Sequence, residues 1–221
     1  MNKISIKYLK EIDACEEGIY WFEDNFGNEE YTIDELLNHV KENNIIPDYR
    51  FVQWLIQKCK FAQTQEMIDY YLSLNPDYEN VSWLIQKCKF AQTQQMIDYY
   101  LSLNPDYTSV RWLIECCKLA QTQQMLDYYI SLKPDYTDVS LFITNCEFVQ
   151  TQDMINYYLS LNPDYEDVRW LIEKCKFVQT QEMIDYYISL NPSYSSVSWL
   201  IEYCEFAKNN EKLKQYLEKR K

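Results

Sequence analysis

The chain has 221 residues, 47% of them hydrophobic and 16% aromatic, with a net charge of −13. That is enough apolar material for a sizeable core, and it leaves no basic stripe able to displace counterions from a phosphate backbone. Only Gly18 and Gly27 are glycines, which argues against phosphate-cradling loops, dinucleotide fingerprints and tight β-hairpins, since all of these need positive φ.

Residues 1–51 predict a helical cap. An opening helix over about 4–26 carries Leu9, Ile12, Ile19, Trp21 and Phe22 and ends near Gly27. Thr32 and Glu35 then form a capping box ahead of Leu36, Leu37 and Val40. This cap holds five basic and twelve acidic residues, or −7, and its acidic candidates are Glu11, Asp13, Glu16, Glu17, Glu23 and Asp24.

From Val52 onward a phrase of 29 residues recurs, carrying Val52 through Val81, Val110, Val139 and Val168 to Val197, and Cys59 through Cys88, Cys117, Cys146 and Cys175 to Cys204. Such a period marks an array of units that bury surface against their neighbours. On a helical wheel Val52, Leu55, Ile56, Cys59 and Ala62 share one face, which predicts a first helix. Thr64 is the expected N-cap of a second helix, with Met67, Ile68, Tyr71, Leu72 and Leu74 on its apolar arc and Gln65, Glu66, Asp69 and Ser73 on its wet edge. Asn75 and Pro76 end that helix, and Asn75 or Asp77 caps the next.

The expected architecture is an all-α, right-handed α-solenoid of stacked helical hairpins. It comprises a cap at 1–51, five repeats at 52–196 and a degenerate sixth repeat at 197–221 acting as the C-terminal cap. The six in-register cysteines are expected as buried apolar residues in a reducing compartment, because stacked helices lie ~8–10 Å apart, beyond disulfide reach. The repeats look like the α-solenoid class, similar in shape to tetratricopeptide or ankyrin arrays, although the period is 29 and the diagnostic glycines are missing. The stretch LKEIDACEEGIYWFEDNFG, with its Ala-Cys-x-x-Gly-x-x-Trp-Phe pattern, resembles a short N-terminal module of uncharacterised bacterial and phage proteins. The first likeness implies protein binding, and the second a bacterial or phage source.

Three surfaces are candidates for function. Trp54 and Phe61 repeat as Trp83 and Phe90, Trp112 and Leu119, Leu141 and Phe148, Trp170 and Phe177, and Trp199 and Phe206. Packing between repeats is the expectation for this stripe, and an aromatic groove for a partner segment is the alternative. The variable polar edge of the first helix, Gln53, Ser82, Arg111, Ser140 and Arg169 beside Gln57, Gln86, Glu115, Thr144 and Glu173, is the candidate partner-binding surface, with drift on a solvated face as its rival. Acidity recurs in the fourth repeat at Glu147 and Asp153. Tyr70 and Tyr71, with their copies, are expected in the core with hydroxyls reaching the surface.

No nucleophile–base pairing, cofactor loop or metal-ligand spacing is legible, and His39 is the sole histidine. No apolar run reaches the ~20 residues a bilayer requires, and the opening residues lack a signal-peptide core. The expectation is a cytoplasmic, non-enzymatic scaffold with another protein as partner, without cofactor, metal, direct nucleic-acid or membrane binding, and with oligomerisation left open. The alternative is a phage-type acidic inhibitor that occupies the basic groove of a nucleic-acid-binding enzyme such as a CRISPR effector in a bacterial host.

Overall fold

A computed structural model describes residues 3–220. Among these, sixteen α-helices and five short 3-10 helices follow one another in a repeated hairpin arrangement. The chain forms two compact units, one running to Pro105 and the other starting at Asp106.

In the first unit the opening segment is two helices, Ile6–Glu11 and Glu16–Phe26, instead of the single expected one. Asp13 turns to φ 58, a left-handed conformation that no helix interior accommodates, and a short Asp tolerates it better than most residues. Gly27, at φ 65, closes the second helix. Beyond it Ile4 and Tyr31 exchange backbone hydrogen bonds of 2.7 and 2.9 Å. The capping box forms as expected: Glu35 N–H donates to Thr32 Oγ1 at 3.3 Å, and Thr32 N–H donates to Glu35 Oε2 at 2.8 Å.

Each repeat opens three residues earlier than its hydrophobic face suggests. In the first unit the first helices are Tyr49–Lys58 and Tyr78–Lys87 and the second helices Gln65–Ser73 and Gln94–Ser102. The second unit has first helices Tyr107–Cys116, Tyr136–Asn145, Tyr165–Lys174 and Tyr194–Tyr203, with Gln123–Ser131, Gln152–Ser160 and Gln181–Ser189 as second helices. Asp48, Asp77, Asp106, Asp135, Asp164 and Ser193 cap the first helices, and Thr64 and its copies cap the second, each accepting a backbone N–H.

The first helix also stops sooner than the wheel implies. Cys59 is extended at φ −101 and ψ 105, and Lys60–Ala62 form a separate 3-10 turn. Ending the helix at Lys58 leaves carbonyls without intrahelical partners. Gln63 Nε2 donates to one of them, Ile56 O, at 3.1 Å, and Gln92, Gln121, Gln150 and Gln179 do the same at Ile85, Ile114, Ile143 and Ile172. In the first unit the thiol of Cys88 lies 3.9 Å from the same Ile56 oxygen; Cys175 and Cys204 repeat this on Ile143 and Ile172 at 4.0 Å in the second. The recurring cysteine and glutamine thus serve one helix end, the cysteine from the neighbouring repeat.

Asn75 is not the cap of the following helix; Asp77 is. Asn75, Asn104, Asn162 and Asn191 instead take φ between 53 and 58 just past the second helix, and Lys133 holds the same place at φ 53. Asn populates this region more readily than Lys. Lys133→Asn is therefore expected to raise the urea midpoint of unfolding, by ~0.5–1 kcal/mol of stability.

Beneath these turns runs the core. Val52, Leu55, Ile56, Cys59, Ala62, Met67, Ile68 and Tyr71 are buried, and so are their counterparts in the next four repeats. The hydroxyls of Tyr71, Tyr129 and Tyr158 do not reach the surface as expected: each is enclosed without a hydrogen-bond partner among the described residues. Tyr187 differs, its hydroxyl lying 2.9 Å from Ser196 Oγ. The flanking tyrosine behaves otherwise, since Tyr99 donates to Leu72 O of the preceding repeat at 3.3 Å. At the end of the second unit, Asn210 donates to Gln181 and Lys212 to Asp185, so the polar helix Glu211–Glu218 closes the last hairpin.

Candidate interaction surface

Within each unit the first helices of adjacent repeats pack side by side, and their polar edges face that junction instead of open water. Gln53 is 4% exposed and donates to Asn80 O at 3.1 Å. Ser82 and Ser140 are buried and bond back to Glu79 O and Thr137 O. Arg111 Nη1 donates to Asp138 Oδ1 at 3.0 Å in the next repeat, and its Nε lies 3.7 Å from Glu115. Arg169 bridges Glu166 and Glu173 at 2.7 Å each. Gln57, Gln86 and Thr144 are half-buried, and Thr144 donates to Ser140 O. The variable column is mostly covered: Gln53 and Arg111 bond to the next repeat, and the serines, Thr144 and Arg169 bond within their own helix. Burial of Glu115 outweighs the pull of Arg111 and holds its carboxyl above the ordinary range.

The tryptophan stripe, expected between repeats, faces outward. Trp83, Trp112 and Trp199 are 44%, 54% and 49% exposed, and Phe90 and Phe177 are exposed beside them. Trp54 and Trp170 are half-buried. A first helix has neighbours on its two flanks and below, so the arc opposite the Val/Leu/Ile/Cys face meets none.

In the first unit this outward face meets the cap in a groove of about 410 Å³. Ala14, Cys15, Glu17, Gly18 and Trp21 line one side, and Asp48, Arg50, Phe51 and Trp54 the other. Gly18 faces the Phe51 ring at a spacing where an added Cβ would make ordinary contact, 3.5 Å from it. Trp21 and Phe51 have ring centroids 4.8 Å apart with planes tilted by 53°. The Arg50 guanidinium is bonded to Asp48, whose carboxyl it holds below the usual range. A second depression of about 430 Å³ adjoins through Arg50 and Trp54 and reaches Glu79 and Trp83.

Every acidic candidate is exposed: Glu11, Asp13, Glu16, Glu17, Glu23 and Asp24 in the first unit, Glu147 and Asp153 in the second. The second-helix carboxylates are engaged locally, Asp69 accepting from Gln65 and Gln95 and Asp185 from Lys212. In the second unit Asp167 is pushed up to about 6, by burial first and the Asp164 carboxylate next. A raised carboxyl binds its proton more tightly folded than unfolded. Its stabilising contribution is complete below the unfolded value and is lost as pH rises through about 6. Asp167→Asn is expected to leave the melting temperature unchanged near pH 3.5 and to raise it by ~2–4 °C at pH 8, after allowance for solvent screening.

Among the described residues no group of three or more His, Cys, Asp or Glu is placed to hold a metal ion, and no helix is long and apolar enough to cross a membrane. Fold and surface together define an all-α helical-repeat protein whose first helices present aromatic side chains outward. Comparison with known proteins gives no matching family model, no matching curated protein and no matching solved structure.

Proposed function

We propose that this chain is a non-enzymatic scaffold that binds another protein through the outward aromatic face of its first helices. The supporting observation is the exposure of Trp83, Trp112 and Trp199 at one repeat position. Exposed tryptophans are costly to leave in water and are enriched among residues that dominate binding energy. This reading moves the partner-binding residues from the polar column to the tryptophan row, because the column is largely occupied by contacts within the chain.

The test is capture of a partner from bacterial lysate by the immobilised protein, identified by mass spectrometry. Trp83→Ala, Trp112→Ala and Trp199→Ala are each expected to shift the melting temperature by less than ~3 °C, since little packing is lost, while the captured partner falls away. Capture that survives all three substitutions overturns the proposal. The acidic-inhibitor reading draws support from the exposed carboxylates of the cap, and salt separates the two. Recognition led by charge weakens sharply between low and physiological ionic strength, whereas the aromatic contact hardly responds.

A further inference from the structure

The groove between the cap and the first repeat has a chemistry of its own. Its floor is the corner made by Trp21 and Phe51 with Trp54 beside it, and ring faces carry the negative end of the aromatic quadrupole. With the adjoining depression, its walls hold three carboxylates, Glu17, Asp48 and Glu79, against one guanidinium, Arg50. Arg50 is committed to Asp48, and the cation–ring contacts among the described residues are Arg169 over Trp199 and Arg220 over Tyr216, neither in this groove. An anionic occupant would be repelled here, and a purely apolar one would strip water from carboxylates and return nothing.

We infer that this corner receives an arginine side chain of the partner protein, stacked on the Trp21, Phe51 and Trp54 rings and paired with Glu17. The inference rests on the protein-binding reading and names the chemistry of one contact within it. The chain already fills a comparable arrangement this way. In the second unit the Arg169 guanidinium carbon lies 5.8 Å from the Trp199 ring centroid while its nitrogens reach Glu166 and Glu173 at 2.7 Å. A planar guanidinium offers a face to rings and N–H groups to carboxylates at once, which an ammonium does not. The volume of about 410 Å³ admits such a side chain with the backbone that carries it.

The experiment titrates the full chain with acetyl-glycyl-arginyl-glycinamide and with the same peptide carrying citrulline, which keeps the shape and removes the charge. Binding is followed by tryptophan fluorescence and calorimetry, and the alkylation rate of the exposed Cys15 thiol, read by mass spectrometry, reports occupancy of the groove. The arginine peptide is expected to bind about tenfold tighter than the citrulline peptide and to slow alkylation of Cys15. Glu17→Gln is expected to abolish the difference, while Glu66→Gln, on an exposed face elsewhere, preserves it. Equal affinity for the two peptides, absence of binding, or a preference that persists in Glu17→Gln overturns the inference. If the tryptophan variants lose their captured partner but the arginine peptide neither binds nor displaces it, protein binding stands and this contact falls. If the peptide binds as expected but no partner is captured, the scaffold reading falls and only the groove's preference for a guanidinium stands, without its assignment to a partner protein.

Discussion

Tyr158→Ala is expected to cost about 3–5 kcal/mol and to lower the melting temperature by about 10 °C. The side chain is 0% exposed, so truncation removes its whole contact surface and leaves a cavity that surrounding helices fill only in part. The informative companion is Tyr158→Phe. Its hydroxyl is buried without a partner among the described residues, and burial, with the nearby charge of Asp167 next, pushes its ionisation far above the ordinary value. Deleting it is expected to stabilise the protein by about 1 kcal/mol, because an unsatisfied polar group is removed with little change of shape. Tyr187→Phe provides the opposite sign: its hydroxyl bonds to Ser196, so the same change is expected to cost about 1 kcal/mol. Urea denaturation followed by circular dichroism measures all three, and equal signs for the two phenylalanine variants would refute this account of the tyrosine ladder.

Arg111→Ala is the second large effect, a loss of about 2–3 kcal/mol. Arg111, Glu115 and Asp138 have side chains only 19%, 19% and 20% exposed. Removing the guanidinium strands two carboxylates in a poorly solvated junction and cuts the tie between successive first helices. Burial already holds the Glu115 carboxyl above its usual range despite Arg111, and without the arginine it rises further. A raised carboxyl destabilises once ionised, so the loss is expected to be larger at pH 7.5 than at pH 4.5. Arg111→Met combined with Glu115→Met is expected to recover most of it, since an apolar joint needs no compensating charge. Urea midpoints at the two pH values decide, and a loss independent of pH would show that packing, not charge, carries the contact.

Several elements are readable from residue types. The step from Val52 to Val81, the proline after Asn75, the threonine at 64 and the Thr32–Glu35 box each specify local geometry through periodicity or capping, and local geometry depends on few neighbours. The break at Cys59 is not readable on a wheel, because the cysteine lies in phase with Val52 and Ile56. The recurring glutamine four residues later is the available signal: a polar side chain at a fixed distance past a helix end suits a C-terminal carbonyl. Asp13 in the left-handed region carries a weaker one, a short acidic residue between two apolar stretches.

The functional surface is where the wheel reading inverts. Trp54 and Gln53 are adjacent in sequence and their directions are correctly separated, yet the tryptophan row faces outward in later repeats while the glutamine column enters a junction. A wheel gives the angle of a side chain about its own axis and is silent on which angles a neighbouring helix occupies.

The amino-acid sequence by itself determined that this protein is an array of helical hairpins 29 residues apart and which face of each helix forms the core, since propensity, capping and burial within one hairpin depend on nearby residues. Only the tertiary structure decided which remaining faces are covered, because coverage depends on how one repeat is set against the next. That setting leaves the tryptophans outside, draws Gln53 and Arg111 into joints, and closes Trp21 of the cap against Phe51 and Trp54 to form the groove.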